Sequence, residues 1–399
     1  MKALVVAPQP FFNYRGTPFS VYYRTMVMAE KGVKMDFLTY GQGMDVDLPG
    51  VRLLRIPAFR FLGPVSIGPS ALKLFLDMFL VMRLFWLLLR NRYDVVHAHE
   101  EAVFFCALLK PLFRFKMIYD MHSSLPQQLT NFNFTTSKRL IGLFTWFEDL
   151  AIRRANAVIT ICPDLADYVL GRIADPEKHF LIENSIFEPV HLRQAPGTVP
   201  PAARDGEAAL PFVIPPGAKA VVYAGTFEHY QGLDLLIEAF RRVHREAPDA
   251  CLVMVGGTAA QVAHYQALAG ADLREACVIR ERMDQAVVKT LIARAAVQIS
   301  PRSSGTNTPL KIYEQLASGV PLVATAIYSH TQVLSDEVAY LVEPEPAALA
   351  RGILAALADG VEGNPKAQAA KALYAARYSR PVYEQKMERL LERIRSCAV

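Results

Sequence analysis

The stretch Lys219–Asp234, KAVVYAGTFEHYQGLD, decides how the chain is read. KAVVYA is an apolar run of strand length, Gly225 and Gly232 punctuate a loop, and LLIEAF beyond it begins a helical apolar period. Strand, glycine loop and helix in that order open a βαβ unit, and such a loop cradles phosphate through backbone N–H groups. The loop's only possible cation is His229. An anion seated there therefore draws its neutralising charge from another part of the sequence.

The same opening occurs at residue 2, where KALVVAP precedes a helical pattern over Pro18–Lys31. DVVHAH is followed by a helix over Ala102–Leu109, and after residue 219 helices at Leu233–Arg245, from Ala259 and at Gln285–Ala295 alternate with ACLVMVGG, CVIR and AVQISPR. Alternating strands and helices imply an α/β chain with parallel sheets covered on both faces. Between the two series, the segment Glu188–Lys219 holds seven prolines and no periodicity, which marks a linker or long loop. The expected organisation is a Rossmann-like domain over 1–190, a linker over 191–218, a second Rossmann-like domain over 219–376 and a closing helix over 377–399. Two such domains facing across a cleft would bind ligand at the carboxyl ends of their strands. The closing helix carries Met387, Leu390, Leu391 and Ile394 on one face and is expected to pack back across the junction.

A length of 399 residues exceeds what one core usually supports, and 52% apolar residues exclude disorder. The five cysteines are scattered, which suits free thiols in a reducing compartment and gives no metal-binding spacing. Up to residue 200 there are 22 Lys/Arg against 17 Asp/Glu, and beyond it 21 against 21, so the whole excess of +5 lies in the first half. No basic run with interleaved aromatics argues for nucleic acid; an anionic membrane surface fits better. MKALVVAP is expected to be a buried strand and not a leader. The segment Ala71–Leu89, ALKLFLDMFLVMRLFWLLL, tempts a membrane-spanning reading, but Asp77 and Arg83 argue against it. Lys73, Asp77, Arg83 and Arg90 fall in one arc of the wheel, so the expectation is an amphipathic helix that covers the first sheet, with a second reading in which it also dips into a membrane surface. KPLFRFK, Lys110–Lys116, adds basic and aromatic residues nearby.

The densest chemical signal is Ser300–Thr325, SPRSSGTNTPLKIYEQLASGVPLVAT. A strand ends at Pro301, a polar loop follows, and a helix is expected from Thr308-Pro309 to Gly319. Lys311 and Glu314, three apart, share its N-terminal face. Together with the free amides there they make an anion site, and Glu314 is suited to accept hydrogen bonds from a pair of sugar hydroxyls. Arg15-Gly16 before the first helix is a weaker anion signal. His97 and His99 are spaced by two without a third ligand motif, so no metal site is expected.

The order of elements, with YAGTFEHYQGLDLLIEAF, PLKIYEQLASGVPLVAT, DVVHAHEE, YDMHSSLP, ANAVITICPDL and IENS, resembles the retaining nucleotide-sugar glycosyltransferases of family 4, which adopt the two-domain GT-B fold. The resemblance implies that His122 lies beside the donor sugar, that Gly16 borders the donor's phosphate and that Glu314 binds the nucleotide ribose. His99 and Glu100 end another strand of the first domain and so are expected to face the acceptor; Gly225, Thr226, Gln231, Arg302, Thr306 and Asn307 are expected around the donor. It implies no cofactor and no obligatory metal. The chain departs from the family at three positions: Thr226 and Gln231 replace an Arg and a Lys that hold the diphosphate, and Thr306 replaces a Glu. Lys311, where many relatives have proline, is expected to supply the missing charge, with Arg302 or Arg15 and the amides of Thr306–Leu310. The implied reaction is front-face transfer from a nucleotide sugar to a lipid-linked glycan or glycolipid in cell-surface polysaccharide synthesis, by a cytoplasmic enzyme peripheral on the inner face of the membrane. The alternatives are a nucleotide-sugar 2-epimerase using Glu100, Glu101 or Asp120, and a non-catalytic nucleotide-sugar-binding subunit.

Overall fold

The computed structural model describes residues 1–13, 16–59, 63, 65, 70–126, 137–184, 187, 190, 192–193 and 209–398. The chain forms two compact units, Met1–Thr198 with Arg380–Val399, and Val199–Ser379.

In the first unit the elements are β1 (Lys2–Ala7), α1 (Gly16–Glu30), β2 (Lys34–Thr39), β3 (Val51–Arg55), α2 (Ala71–Arg90), β4 (Val95–His99), α3 (Ala102–Phe113), β5 (Lys116–Met121), α4 (Lys138–Arg154), β6 (Ala157–Thr160), α5 (Pro163–Leu170) and β7 (His179–Leu181). The strands pair in parallel in the order β3-β2-β1-β4-β5-β6-β7. β1, β4 and β5 are buried along nearly their whole length, as strands covered on both faces must be. The order reverses between β1 and β4, so the loops after these two strands flank the point where open α/β sheets bind ligands. α1 starts at Gly16, two residues before the expected Pro18.

α2 corrects the wheel reading. Ser70 caps it by accepting from the Lys73 amide at 3.2 Å, and Leu76, Leu80, Leu84 and Leu87 bury one face. Asp77, however, is turned inward, where it accepts from the Tyr40 hydroxyl at 2.5 Å, and Lys73 pairs with Glu101 at 2.6 Å. Burial, with Glu101 adding to it, raises the Asp77 carboxyl to about 7. The exposed face is the apolar one, with Leu74, Met78, Met82 and Leu89 each about half exposed or more. A wheel gives the arc of the charges but not which arc meets the sheet. Among the described residues no helix is long and apolar enough to cross a membrane.

The second unit comprises β8 (Lys219–Ala224), α6 (Leu233–Glu246), β9 (Ala250–Gly257), α7 (Ala259–Ala269), β10 (Cys277–Glu281), α8 (Gln285–Ala293), β11 (Val297–Ser300), α9 (Lys311–Ser318), β12 (Leu322–Thr325), α10 (Tyr328–Thr331), β13 (Tyr340–Val342), α11 (Pro346–Asp359) and α12 (Pro365–Arg377). Its parallel order β10-β9-β8-β11-β12-β13 is the 3-2-1-4-5-6 winding of dinucleotide-binding sheets. Leu233, Leu236, Ile237, Phe240 and Val243 of α6 bury at helical spacing against the sheet. The switch point lies between β8 and β11, which brings the glycine loop of residues 225–232 beside residues 301–310. Gly232 is required there: its φ is +68°, and a Cβ would stand 2.0 Å from the Pro301 carbonyl oxygen. Gly232→Ala is expected to cost at least about 2 kcal/mol, the left-handed penalty with a backbone clash added. Equilibrium unfolding checks this, and a change within 0.5 kcal/mol would contradict it.

The chain then returns to the first unit through α13 (Arg380–Ser396). Met387, Leu390, Leu391 and Ile394 are buried there. Lys386 pairs with Glu183, Arg393 with Asp175 and Arg380 with Glu30. Each buried aliphatic side chain contributes about 1.5–3 kcal/mol, so the helix is part of the first unit's core rather than an appendage.

Candidate functional site

In the second unit the glycine loop leaves β8 at Tyr223, whose hydroxyl donates to the Thr226 carbonyl at 2.7 Å. A short 3-10 turn, His229–Gln231, carries the chain to Gly232. Lys311 is the first residue of α9, and its Nζ enters this loop: it donates to Gln231 Oε1 at 3.2 Å and sits 4.2 Å over the Tyr223 ring. A Cβ on Gly225 would lie 3.7 Å from that Nζ. The cation missing from the loop is thus delivered from eighty residues downstream. Burial, reinforced by Arg302, lowers the Lys311 ammonium to about 7.

Glu314, on the same face of α9, is half-buried and makes no hydrogen bond or ion pair among the described residues. Burial raises its carboxyl to about 7 against the pull of Lys289. A desolvated carboxylate without a donor carries a cost that a ligand's hydroxyls would relieve. The Thr308 hydroxyl nearby is buried and likewise unpartnered.

α9 begins at Lys311 and not at 308–309. Proline disfavours the helical region for the residue before it, and Leu310, with φ −53° and ψ −38°, stands just ahead of the first helical residue. The first amides then close tight turns, Ile312 N to Pro309 O at 3.0 Å and Tyr313 N to Leu310 O at 3.3 Å. Arg302 is committed to its own loop. It donates to the Ser304 carbonyl at 2.6 Å and the Asn307 carbonyl at 3.1 Å, with its guanidinium 5.1 Å from the Tyr230 ring centroid. Gln332 donates to the Thr306 carbonyl at 2.5 Å, which pins the loop's far side. Lys311 is the better placed of the two cations.

In the first unit a buried charge cluster forms at the carboxyl ends of β4 and β5. Asp120 is its hub: it pairs with Arg24 of α1 and takes His97 Nε2 at 3.1 Å, His99 Nδ1 at 3.3 Å and His122 Nε2 at 3.3 Å. His99 Nδ1 also lies 3.2 Å from His122 Nε2. Burial opposes ionisation of Asp120, but the Arg24 guanidinium, helped by the hydrogen bond from His97, outweighs it and holds the carboxyl well below its usual range. Burial keeps both His99 and His122 neutral, His122 down to about 4. The His97, His99 and Asp120 donors are close enough to hold a metal ion. Arg24 already balances the carboxylate, so an added dication would leave excess buried charge. His99 and His122 are both almost fully buried. Glu100 has φ 47°, in the left-handed region uncommon for a non-glycine residue, and burial with Glu101 raises its carboxyl to about 7. Nothing crowds a Cβ at Gly16, and Arg15 lies outside the described residues.

Sequence reasoning missed two supports. Arg24 is a lone charge within the buried run VYYRTMVM, and that was its signal. Glu148 of α4 is fully buried and accepts from Ser124 Oγ at 2.9 Å, the Leu125 amide at 3.1 Å and the Tyr168 hydroxyl at 2.5 Å. These bonds tie down the turn that follows His122. Glu148→Ala is expected to cost about 1–3 kcal/mol in unfolding free energy. A variant with wild-type stability would remove Glu148 from the support of the turn after His122.

Residues 218–359 match the family described as glycosyl transferases group 1, and residues 27–185 match the glycosyl transferase 4-like domain. The chain belongs to the group 1 glycosyltransferases. It is 30% identical over 155 residues to a phosphatidyl-myo-inositol mannosyltransferase of Mycobacterium tuberculosis, covering 37% of this chain and 40% of that relative's length. Among solved structures, sucrose-phosphate synthase from Thermosynechococcus elongatus superimposes with a TM-score of 0.74 at 18% identity over 99% of each chain. Anabaena HepE in complex with UDP gives 0.69 at 16% identity, over 98% of this chain and 100% of that one. The fold is GT-B.

Proposed function

We propose that the protein is a retaining glycosyltransferase that moves a sugar from a nucleotide-sugar donor to a lipid-linked glycan or glycolipid acceptor during cell-surface polysaccharide synthesis. The observation that carries the donor reading is the Lys311 ammonium lodged in the loop after β8, with the unpaired Glu314 carboxylate on the same helix face. In this reading Lys311, the loop amides beside Gly225 and Thr226, Gln231 and the residues Thr306–Leu310 bind the diphosphate. Arg302 holds that last loop in place, and Glu314 takes the ribose hydroxyls. HepE, a neighbour in fold, binds UDP, which favours a uridine nucleotide as the first donor to try.

Transfer breaks the bond from the anomeric carbon to the diphosphate oxygen and forms one from that carbon to the acceptor hydroxyl oxygen on the same face. The hydroxyl proton passes to the departing phosphate oxygen. The enzyme's work is then to stabilise the leaving diphosphate and to orient the acceptor. His122, neutral and fixed by Asp120, offers the transferred sugar a hydrogen bond. His99 and Glu100 are assigned to the acceptor side, His99 by steadying His122. The mannosyltransferase relative acts, by its name, on phosphatidyl-myo-inositol, and the exposed apolar face of α2 suits an enzyme that meets its acceptor at a cytoplasmic membrane surface.

The test is incubation with nucleotide sugars, with and without lipid acceptors, followed by NMR of the product anomer. Nucleoside diphosphate release with retained configuration, undiminished by a chelator, is the expected result. An isomerised sugar would establish the epimerase reading, and nucleotide-sugar binding without turnover would establish the non-catalytic one.

A further inference from the structure

The N-terminal edge of the first sheet, opposite the strand ends that carry His99 and His122, opens into a crevice of about 950 Å³. Arg90, Arg92, Arg114 and Arg395 line it, and none of them is paired with a carboxylate among the described residues. Asp94, the acidic lining residue, is occupied by the Lys2 amide at 2.7 Å. Lys116 is committed to the carbonyls of Ile394 and Arg395, at 2.8 and 3.1 Å, and so ties the end of α13 to the crevice. Arg114 ends α3 with φ 51°, a conformation in which glycine is the usual residue.

The rim is apolar. Leu89 and Leu112 are 62% and 68% exposed, and the surface continues along α2 through Phe85 and Met82. Trp86, also exposed, is flanked by the Arg83 and Arg90 guanidinium groups at 4.6 and 4.9 Å from its ring. Aromatic rings beside arginines whose stems lie on apolar surface are suited to the headgroup level of a bilayer.

We propose that this crevice binds the phosphate headgroup of an anionic glycerophospholipid, with the acyl chains meeting Leu89, Leu112 and the outer face of α2. A free anion would use the arginines and leave the apolar rim in water. An apolar partner helix would cover the rim and leave four guanidinium groups desolvated without counter-charge, which is costly. A phospholipid satisfies both parts at once. At 20 residues, α2 is about 30 Å long, so it would lie flat on the surface with the crevice at one end and Tyr40 and Glu101 at the other. The proposal rests on the membrane attachment proposed above and makes it specific: the anchor is a headgroup site remote from the chemistry.

The experiment is flotation of the full chain with phosphatidylcholine vesicles, with and without phosphatidylglycerol. Wild type is expected to bind only the anionic vesicles. The triple variant Arg90→Gln, Arg92→Gln, Arg114→Gln is expected to bind them about 100-fold more weakly while keeping the wild-type unfolding transition of the first unit, which reports that the unit carrying the crevice is intact. A charge-matched control, Arg245→Gln, Arg274→Gln, Arg282→Gln, removes exposed arginines of the second unit and is expected to bind nearly as wild type. Equal losses in both variants would mean that bulk charge drives binding and would overturn the crevice. So would full displacement from vesicles by inorganic phosphate at matched phosphate concentration, which would assign the site to a free anion. If wild type ignores anionic vesicles, membrane attachment falls as well; if wild type and the crevice variant bind equally, only the crevice falls.

Discussion

Lys311→Ala is expected to weaken nucleoside diphosphate binding by about 1.5–3 kcal/mol, roughly 10- to 150-fold, the scale of a charge-assisted hydrogen bond to an anion. The loop it serves has no other strong cation in place, because Thr226 and Gln231 are neutral and Arg302 is bonded to its own backbone. The pH dependence sharpens the test. With Lys311 lowered to about 7, its ammonium is lost as pH rises above neutrality, and the affinity for diphosphate falls with it. Glu314, raised to about 7, must lose its proton to accept from the ribose, so its contribution fades as pH falls. Binding is therefore expected to peak near neutrality. Lys311→Ala should flatten the alkaline limb, and Glu314→Gln the acid limb. Inorganic pyrophosphate, which has no ribose, should show the alkaline limb and not respond to Glu314→Gln. Calorimetric titration across pH reads all of these, and unchanged affinity in Lys311→Ala would refute the relocation of charge.

Asp120→Asn is expected to destabilise the first unit by about 3–5 kcal/mol, because it leaves the Arg24 guanidinium buried without its carboxylate. Denaturant unfolding measures this. A double variant that also changes Arg24 to Met should recover a large part of the loss, since no orphan charge remains. A cost under about 1 kcal/mol in the single variant would show that the pair is not what holds the cluster.

The cluster also sets a pH response. The Asp120 carboxyl is depressed, so its stabilisation is present above the unfolded carboxylate value and is lost only as pH falls through a folded value well below it. His99 and His122 act at higher pH. Both are depressed, so as pH falls below about 6.5 the unfolded chain binds protons that the native state refuses. Stability should decline from there toward pH 4, and His122→Asn should remove part of that slope.

Much of the fold was legible in the chain because parallel strands buried on both faces leave continuous apolar runs, and KALVVA and KAVVYA are two such runs. The shared face of Lys311 and Glu314 was equally legible, since a spacing of three fixes it once the helix exists. The start of that helix was misplaced because Pro309 constrains the residue before it more strongly than it favours a first turn. The orientation of Asp77 was out of reach: its partner Tyr40 lies 37 positions away, just past the end of β2, and no wheel contains it. The Arg24–Asp120 pair spans 96 positions and the Glu148–Ser124 bond joins a helix to a loop, so neither has a local pattern. Arg302 looked available because its loop is polar, and only coordinates reveal that the loop's own carbonyls take its donors.

The most direct measurement of the central claim is a crystal structure of the protein with a bound nucleoside diphosphate. Diphosphate oxygens are expected within hydrogen-bonding reach, about 3 Å, of Lys311 Nζ and the loop amides after β8, with both ribose hydroxyls on the Glu314 carboxylate. A diphosphate bound away from Lys311, or a ribose that leaves Glu314 without a donor, would contradict that claim.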